Sequence, residues 1–149
     1  MYVAGVFADA GWNVYFPRRD KGFDFVVTKS VGGVTIIRPV QVKGKYPNRE
    51  KTNKAVYGYR GKLTATHEEM VLAIPFFPLE STAQSPRTVA YLPKSVIKKT
   101  SRGYRCDPAK FVDGMISPRP YYKKFFDHEG LSLLEQAEWK NVKVTNAAA

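Results

Sequence analysis

Two segments decide the fold: Phe23-Asp24-Phe25-Val26-Val27-Thr28 and, beyond a turn built on Ser30, Gly32 and Gly33, Thr35-Ile36-Ile37-Arg38-Pro39-Val40-Gln41-Val42-Lys43. Both are rich in β-branched and aromatic residues, and the glycines between them suit a tight reversal, so the pair reads as a hairpin. Upstream, Trp12 to Phe16 alternates and is stopped by Pro17, as a strand would be. Before it, Val3, Val6, Phe7 and Ala10 recur at helical spacing and Gly11 suits a helix end. Downstream, the polar stretch Gly44 to Lys54 precedes a resumed pattern at Ala55 to Tyr59, a strongly apolar run from Met70 to Phe77 and a further strand from Thr88 to Leu92. From Lys94 the pattern is less regular, punctuated by Pro108, Pro118 and Pro120, with helical periodicity expected only over Gly130 to Trp139. The expected order is helix, three meandering strands, a basic connection, two more strands and a helical tail. That is an α/β arrangement around one mixed central sheet flanked by helices.

At 149 residues and 44% hydrophobic composition the chain is expected to form a single domain, 1–149, with a core over about 3–92, a C-terminal extension over about 94–149 and a frayed Ala-rich end. No segment reaches the roughly 18 consecutive apolar residues of a membrane helix, and no basic segment precedes an apolar run at the N-terminus. The expectation is a cytoplasmic protein with no membrane association. Cys106 is the single cysteine, which excludes an internal disulfide and a thiolate metal site.

With 24 Lys plus Arg against 13 Asp plus Glu the formal charge is +11, which bears on partners. Seven bases fall between Lys43 and Lys62 (Lys43, Lys45, Arg49, Lys51, Lys54, Arg60 and Lys62) against the one acid Glu50, with Tyr46, Tyr57 and Tyr59 interleaved. Such a stretch suits a polyanion, nucleic acid being the commonest. Arg18, Arg19 and Lys21 lie in the loop before Asp24 and extend the same expectation, Lys21 beside Gly22. The aromatic group Tyr121, Tyr122, Phe125 and Phe126 suits docking of the C-terminal segment onto the sheet or a partner subunit, with base stacking as the alternative. His67-Glu68-Glu69 reads as a polar turn before the Met70 strand.

The chemistry-bearing residues are Asp24 on the second strand and Gln41 and Lys43 on the third. Gln41 and Lys43 are two apart and share a strand face. A polar pair in a strand otherwise built from Ile36, Ile37, Val40 and Val42 calls for partners, because a buried lysine left alone is costly. Asp24, brought alongside by the hairpin, is the expected one. A carboxylate for a hard divalent cation, an amide oxygen as a further ligand and an ammonium to orient water suit phosphodiester hydrolysis.

Gly22-Phe23-Asp24, followed by Val40-Gln41-Val42-Lys43 on the next strand, resembles the PD-(D/E)xK nuclease superfamily, in its variant with Gln-x-Lys. The superfamily includes Holliday junction resolvases, restriction enzymes, repair nucleases and some homing endonucleases. The resemblance spans Val3 to about Leu92. It implies a restriction endonuclease-like core, DNA as partner, Mg²⁺ (Mn²⁺ as substitute) as cofactor, and a homodimer or higher symmetric oligomer. Asp24 would be the principal metal ligand, Gln41 would stand in the place of the second acid, and Lys43 would be the catalytic lysine. Arg18, Arg19, Lys21, Lys45, Arg49, Lys51, Lys54, Tyr57, Arg60 and Lys62 would contact the nucleic acid. The superfamily usually adds an acid on the first helix, well before its closing glycine; here that position falls at or before Met1. The expected function is a metal-dependent DNA endonuclease, with a catalytically inactive nucleic-acid-binding module of the same fold as the alternative.

Overall fold

The computed structural model describes residues 2–19, 22–46, 59–63, 65–77, 88–112 and 115–144. The chain enters through α1 (Tyr2–Asp9), whose buried face carries Val3, Ala4 and Phe7. Gly11 ends it with φ 91°, so that the Trp12 N–H turns back to the Phe7 carbonyl at 3.0 Å. The reversal delivers β1 (Asn13–Tyr15) beside β2 (Phe25–Val31), and a turn at Gly32 and Gly33 (φ 57° and 79°) leads into β3 (Val34–Val42). Positive φ at both central positions is what a two-residue hairpin with the right strand twist demands, and glycine meets it without strain. The register runs from Val31 opposite Val34 to Phe25 opposite Val40.

Beyond the three-residue β4 (Tyr59–Gly61) come β5 (Val71–Phe76) and β6 (Thr88–Pro93). The large sheet has the order β1-β2-β3-β5-β6, with β3 and β5 parallel and the other neighbours antiparallel. Every residue of β5 is buried, which suits a strand covered on both faces. The fold is therefore a mixed α/β arrangement around a five-stranded mixed sheet.

Alternation sorts the side chains onto two faces. Phe25, Val27, Arg38, Val40 and Tyr91 share one face, where Phe7 of α1 makes edge contacts to the rings of Trp12, Phe25 and Tyr91. Gln41, Leu72, Ile74, Phe76 and Leu92 share the other. The pattern predicts a sheet flanked by helices; among the described residues this second face is met by a short strand, Phe111 lying against Phe76. The segment after Lys94 was expected to be irregular but holds β7 (Lys98–Thr100), β8 (Gly103–Cys106), β9 (Ala109–Val112) and β10 (Met115–Pro118). β4, β8 and β7 form one small sheet, β9 and β10 another. Three or four residues are too few for alternation to register, which is why periodicity missed them. Phe111 of β9 packs on Phe76.

The last helix, α2 (Asp127–Leu133), starts and ends earlier than the expected Gly130 to Trp139. Gly130 lies inside it: a Cβ there would sit 2.2 Å from the Phe125 carbonyl oxygen and 3.0 Å from the Tyr91 ring, so this glycine permits close packing and marks no boundary. Past α2, Leu134 and Trp139 are both fully buried, held by short-range turns, and the Trp139 indole donates to the Met70 carbonyl. Phe125 packs edge-on to Trp139 and Phe126 lies against Phe76, so these two rings dock the C-terminal segment on the sheet. No helix among the described residues is long and apolar enough to cross a membrane.

Candidate functional site

The three residues singled out in the sequence lie along the end of β3, Asp24 bonded to its Val42 amide and Gln41 and Lys43 to either side of Val42 in the chain. The β2–β3 ladder ends at Phe25, the first residue of β2, and the partner that the next amide of β3 needs is supplied by a side chain: Asp24 Oδ2 accepts the Val42 N–H at 2.7 Å. The Asp24 N–H in turn reaches the Val40 carbonyl at 2.9 Å. The carboxylate is thereby fixed beside Val42, the residue between Gln41 and Lys43, and Asp24 itself is exposed. One of its oxygens is committed to a backbone amide, which fixes the carboxylate's orientation.

Gln41 is only 2% exposed. Its amide nitrogen donates to the Ala65 carbonyl, in the segment that follows β4, which leaves Oε1 as the end able to accept or ligate. Lys43 continues the same face and is half-buried, and its backbone N–H completes the parallel ladder at the Ala73 carbonyl, 3.0 Å. The hairpin predicts Asp24 as its partner; among the described residues no ion pair joins Lys43 to a carboxylate. Its ammonium lies over the Tyr59 ring instead, 5.8 Å from the centroid. Burial pushes the Tyr59 phenol above its ordinary range, with the nearby Cys106 adding to the effect, so the ring under the ammonium stays neutral. Tyr59 also donates to the Lys62 carbonyl. Tyr59 and Ala65 were not assigned site roles from sequence, since nothing local signals that the chain after the basic connection folds back over Gln41 and Lys43.

Lys45 extends this end of the sheet, bridging to Phe76, with Tyr46 stacked on Phe77 at 4.7 Å. Lys62, Arg18 and Arg19 are exposed. Lys21, Arg49, Lys51, Lys54 and Tyr57 lie outside the described residues, as does the side chain of Arg60. His67 Nδ1 accepts the Glu69 N–H at 3.0 Å, which gives it a turn-forming role before β5.

The donor set can be weighed against a divalent cation. Asp24 retains one carboxylate oxygen and Gln41 its amide oxygen. Both are hard donors and each is held by its other atom, so their chemistry fits an ion such as Mg²⁺ with its remaining positions filled by water and phosphate. A single carboxylate makes that affinity depend on the phosphate. No group of three or more His, Cys, Asp or Glu side chains suited to a metal occurs among the described residues. No protein-family model matches the chain, and no curated protein matches it.

Proposed function

We propose that the chain is a metal-dependent DNA endonuclease whose five-stranded sheet is a restriction endonuclease-like core. The observation that supports this reading best is the carboxylate of Asp24 fixed at 2.7 Å on the Val42 amide, between Gln41 and Lys43. Asp24 and Gln41 would hold Mg²⁺ or Mn²⁺, which when bound supplies Lewis-acid activation of the scissile phosphate. Lys43 orients the attacking water and offsets the charge that develops on the phosphorus centre. Its place over Tyr59 narrows the positions its ammonium can take. Lys45, Lys62, Arg18 and Arg19 hold the phosphate backbone, joined by the bases of the connection between β3 and β4. One such site per chain cuts one strand, so double-strand cleavage calls for a symmetric homodimer.

The second reading, a nucleic-acid-binding module without catalysis, is favoured by the neutral Gln41, whose amide is tied to Ala65. Incubation of plasmid and branched DNA with the chain in Mg²⁺, in Mn²⁺ and in EDTA separates the two. The endonuclease reading expects metal-dependent cleavage. DNA that is bound in a salt-dependent way but left intact in both metals favours the module.

A further inference from the structure

Away from the end of β3, a cleft of about 830 Å³ opens between β8, β9, β10 and the turn after β10. Its lining includes Arg105, Lys110, Arg119 and Lys123 against one acid, Asp107. Asp107 organises the basic groups: Oδ2 accepts Arg105 Nε at 2.7 Å, and its backbone oxygen accepts Arg119 Nη1 at 3.2 Å. The residue is only 8% exposed, and its other carboxylate oxygen, Oδ1, is buried and without a hydrogen-bond partner among the described residues. The Arg105 side chain, by contrast, is 46% exposed. The single negative charge therefore lies beneath the guanidinium that neutralises it, and the surface offered to solvent is cationic. Lys110 and Lys123 are exposed and make no ion pair among the described residues. Two anchored arginines and two lysines around one concavity are the donor set that suits a phosphate.

The position of the cleft says which phosphates. Cys106, next to Asp107, is the strand partner of Tyr59, the ring under the Lys43 ammonium. Lys45 is near enough to Cys106 to act on its thiol electrostatically. β9, which carries Lys110, packs through Phe111 on Phe76, on the face that carries Gln41. β8 therefore carries the strand partner of Tyr59, about 5 Å away across the ladder, and next to it in sequence the cleft residues Arg105 and Asp107. We infer that this cleft is a second contact for the nucleic-acid backbone, gripping the strand that continues from the end of β3. The inference rests on the reading of the chain as a DNA binder and is independent of whether the DNA is cut.

The test is fluorescence anisotropy of a labelled DNA duplex with the full chain in EDTA, over a KCl series, comparing wild type with Lys110→Gln/Lys123→Gln and with the exposed pair Lys98→Gln/Lys99→Gln as reference. Thermal melts confirm that both variants fold. The cleft variant is expected to weaken binding about tenfold or more and to lower the slope of log affinity on log salt by up to about 2, at about 0.9 per phosphate contact. The reference pair should change the slope less. Wild-type affinity and slope in the cleft variant would overturn the inference while leaving the DNA-binding reading standing. A wild-type chain that binds no DNA would overturn both. Displacement of the duplex by polyglutamate at equal charge would overturn the assignment to nucleic acid and leave a site for acidic chains.

Discussion

Arg38 is a cation inside the sheet, and replacing it should be among the most damaging single changes in the chain. Its side chain is 3% exposed. Nε and Nη2 donate to the Leu134 carbonyl at 3.2 and 3.0 Å, Nη2 also donates to the Gln136 carbonyl at 2.8 Å, and Nη1 pairs with Glu69. Burial lowers its pKa and Glu69 opposes the shift. The substitution Arg38→Met keeps much of the aliphatic volume and removes every donor. Hydrogen bonds to a charged group contribute about 1.5 to 3 kcal/mol each, and a buried acceptor left unpaired costs about 1 to 3 kcal/mol. The lost desolvation of the guanidinium and the burial of the thioether offset part of this, leaving a net loss of about 3 to 5 kcal/mol. Replacing a buried ion pair by apolar residues is often neutral, but here two of the three partners are main-chain carbonyls that no substitution removes. Arg38→Met/Glu69→Leu should therefore recover little. Urea denaturation followed by circular dichroism measures the loss, and a thermal melt should show a midpoint lower by roughly 10 °C, at about 2 to 4 °C per kcal/mol. A loss below about 1 kcal/mol would refute the view that Arg38 clamps the segment after α2 to the sheet.

Gly130→Ala tests packing against propensity: alanine favours a helix by about 1 kcal/mol, yet its Cβ would meet the Phe125 carbonyl oxygen at 2.2 Å. A net destabilisation of about 2 kcal/mol is expected from the overlap, and any gain in thermal stability would contradict it. Burial raises the Cys106 thiol from 9.0 to about 12, so the folded state favours the neutral form. The stabilisation is complete below the ordinary value and is lost as pH rises from 9.0 toward about 12. Melting temperatures should fall over that window more steeply for wild type than for Cys106→Ala, and parallel curves would contradict the assignment. Neutralising Arg49, Lys51 and Lys54 together should lower the salt slope of DNA binding by up to about 3 and leave metal binding unchanged; an unaltered slope would remove that stretch from the interface.

How much of this was legible in the sequence differs from element to element. α1 and the hairpin are legible because their apolar patterns close on glycines, β5 because it is an unbroken apolar run, and the side-chain face shared by Gln41 and Lys43 follows from strand geometry alone. Arg38 was passed over although its position carried a signal, since it falls on the same face as Ile36, Val40 and Val42 and so had to be buried. The partners of Lys43 and Gln41 were out of reach, because Tyr59 and Ala65 come from a return of the chain across the sheet that no local pattern encodes. The same is true of the short strands β7 to β10 and of the cleft they build, where Arg105, Lys110, Arg119 and Lys123 are spread along the sequence and gather only when the small sheets form. α2 begins earlier than its periodicity suggests, because Gly130 looks like a boundary in sequence while its lack of a side chain serves the contact with Phe125 and Tyr91.

The central claim is that Asp24, Gln41 and Lys43 hydrolyse phosphodiester bonds with a divalent metal. Single-turnover nicking of supercoiled plasmid in Mg²⁺ tests it most directly, with Asp24→Asn, which can still accept the Val42 N–H, and Lys43→Met, which can still cover the Tyr59 ring. The account predicts cleavage by the wild type that EDTA abolishes, and rates at least about a hundredfold lower in each variant, the scale of a lost charge-stabilising group, with DNA affinity in EDTA little changed. Wild-type rates in both variants, or no cleavage by the wild type in Mg²⁺ or Mn²⁺, would contradict it.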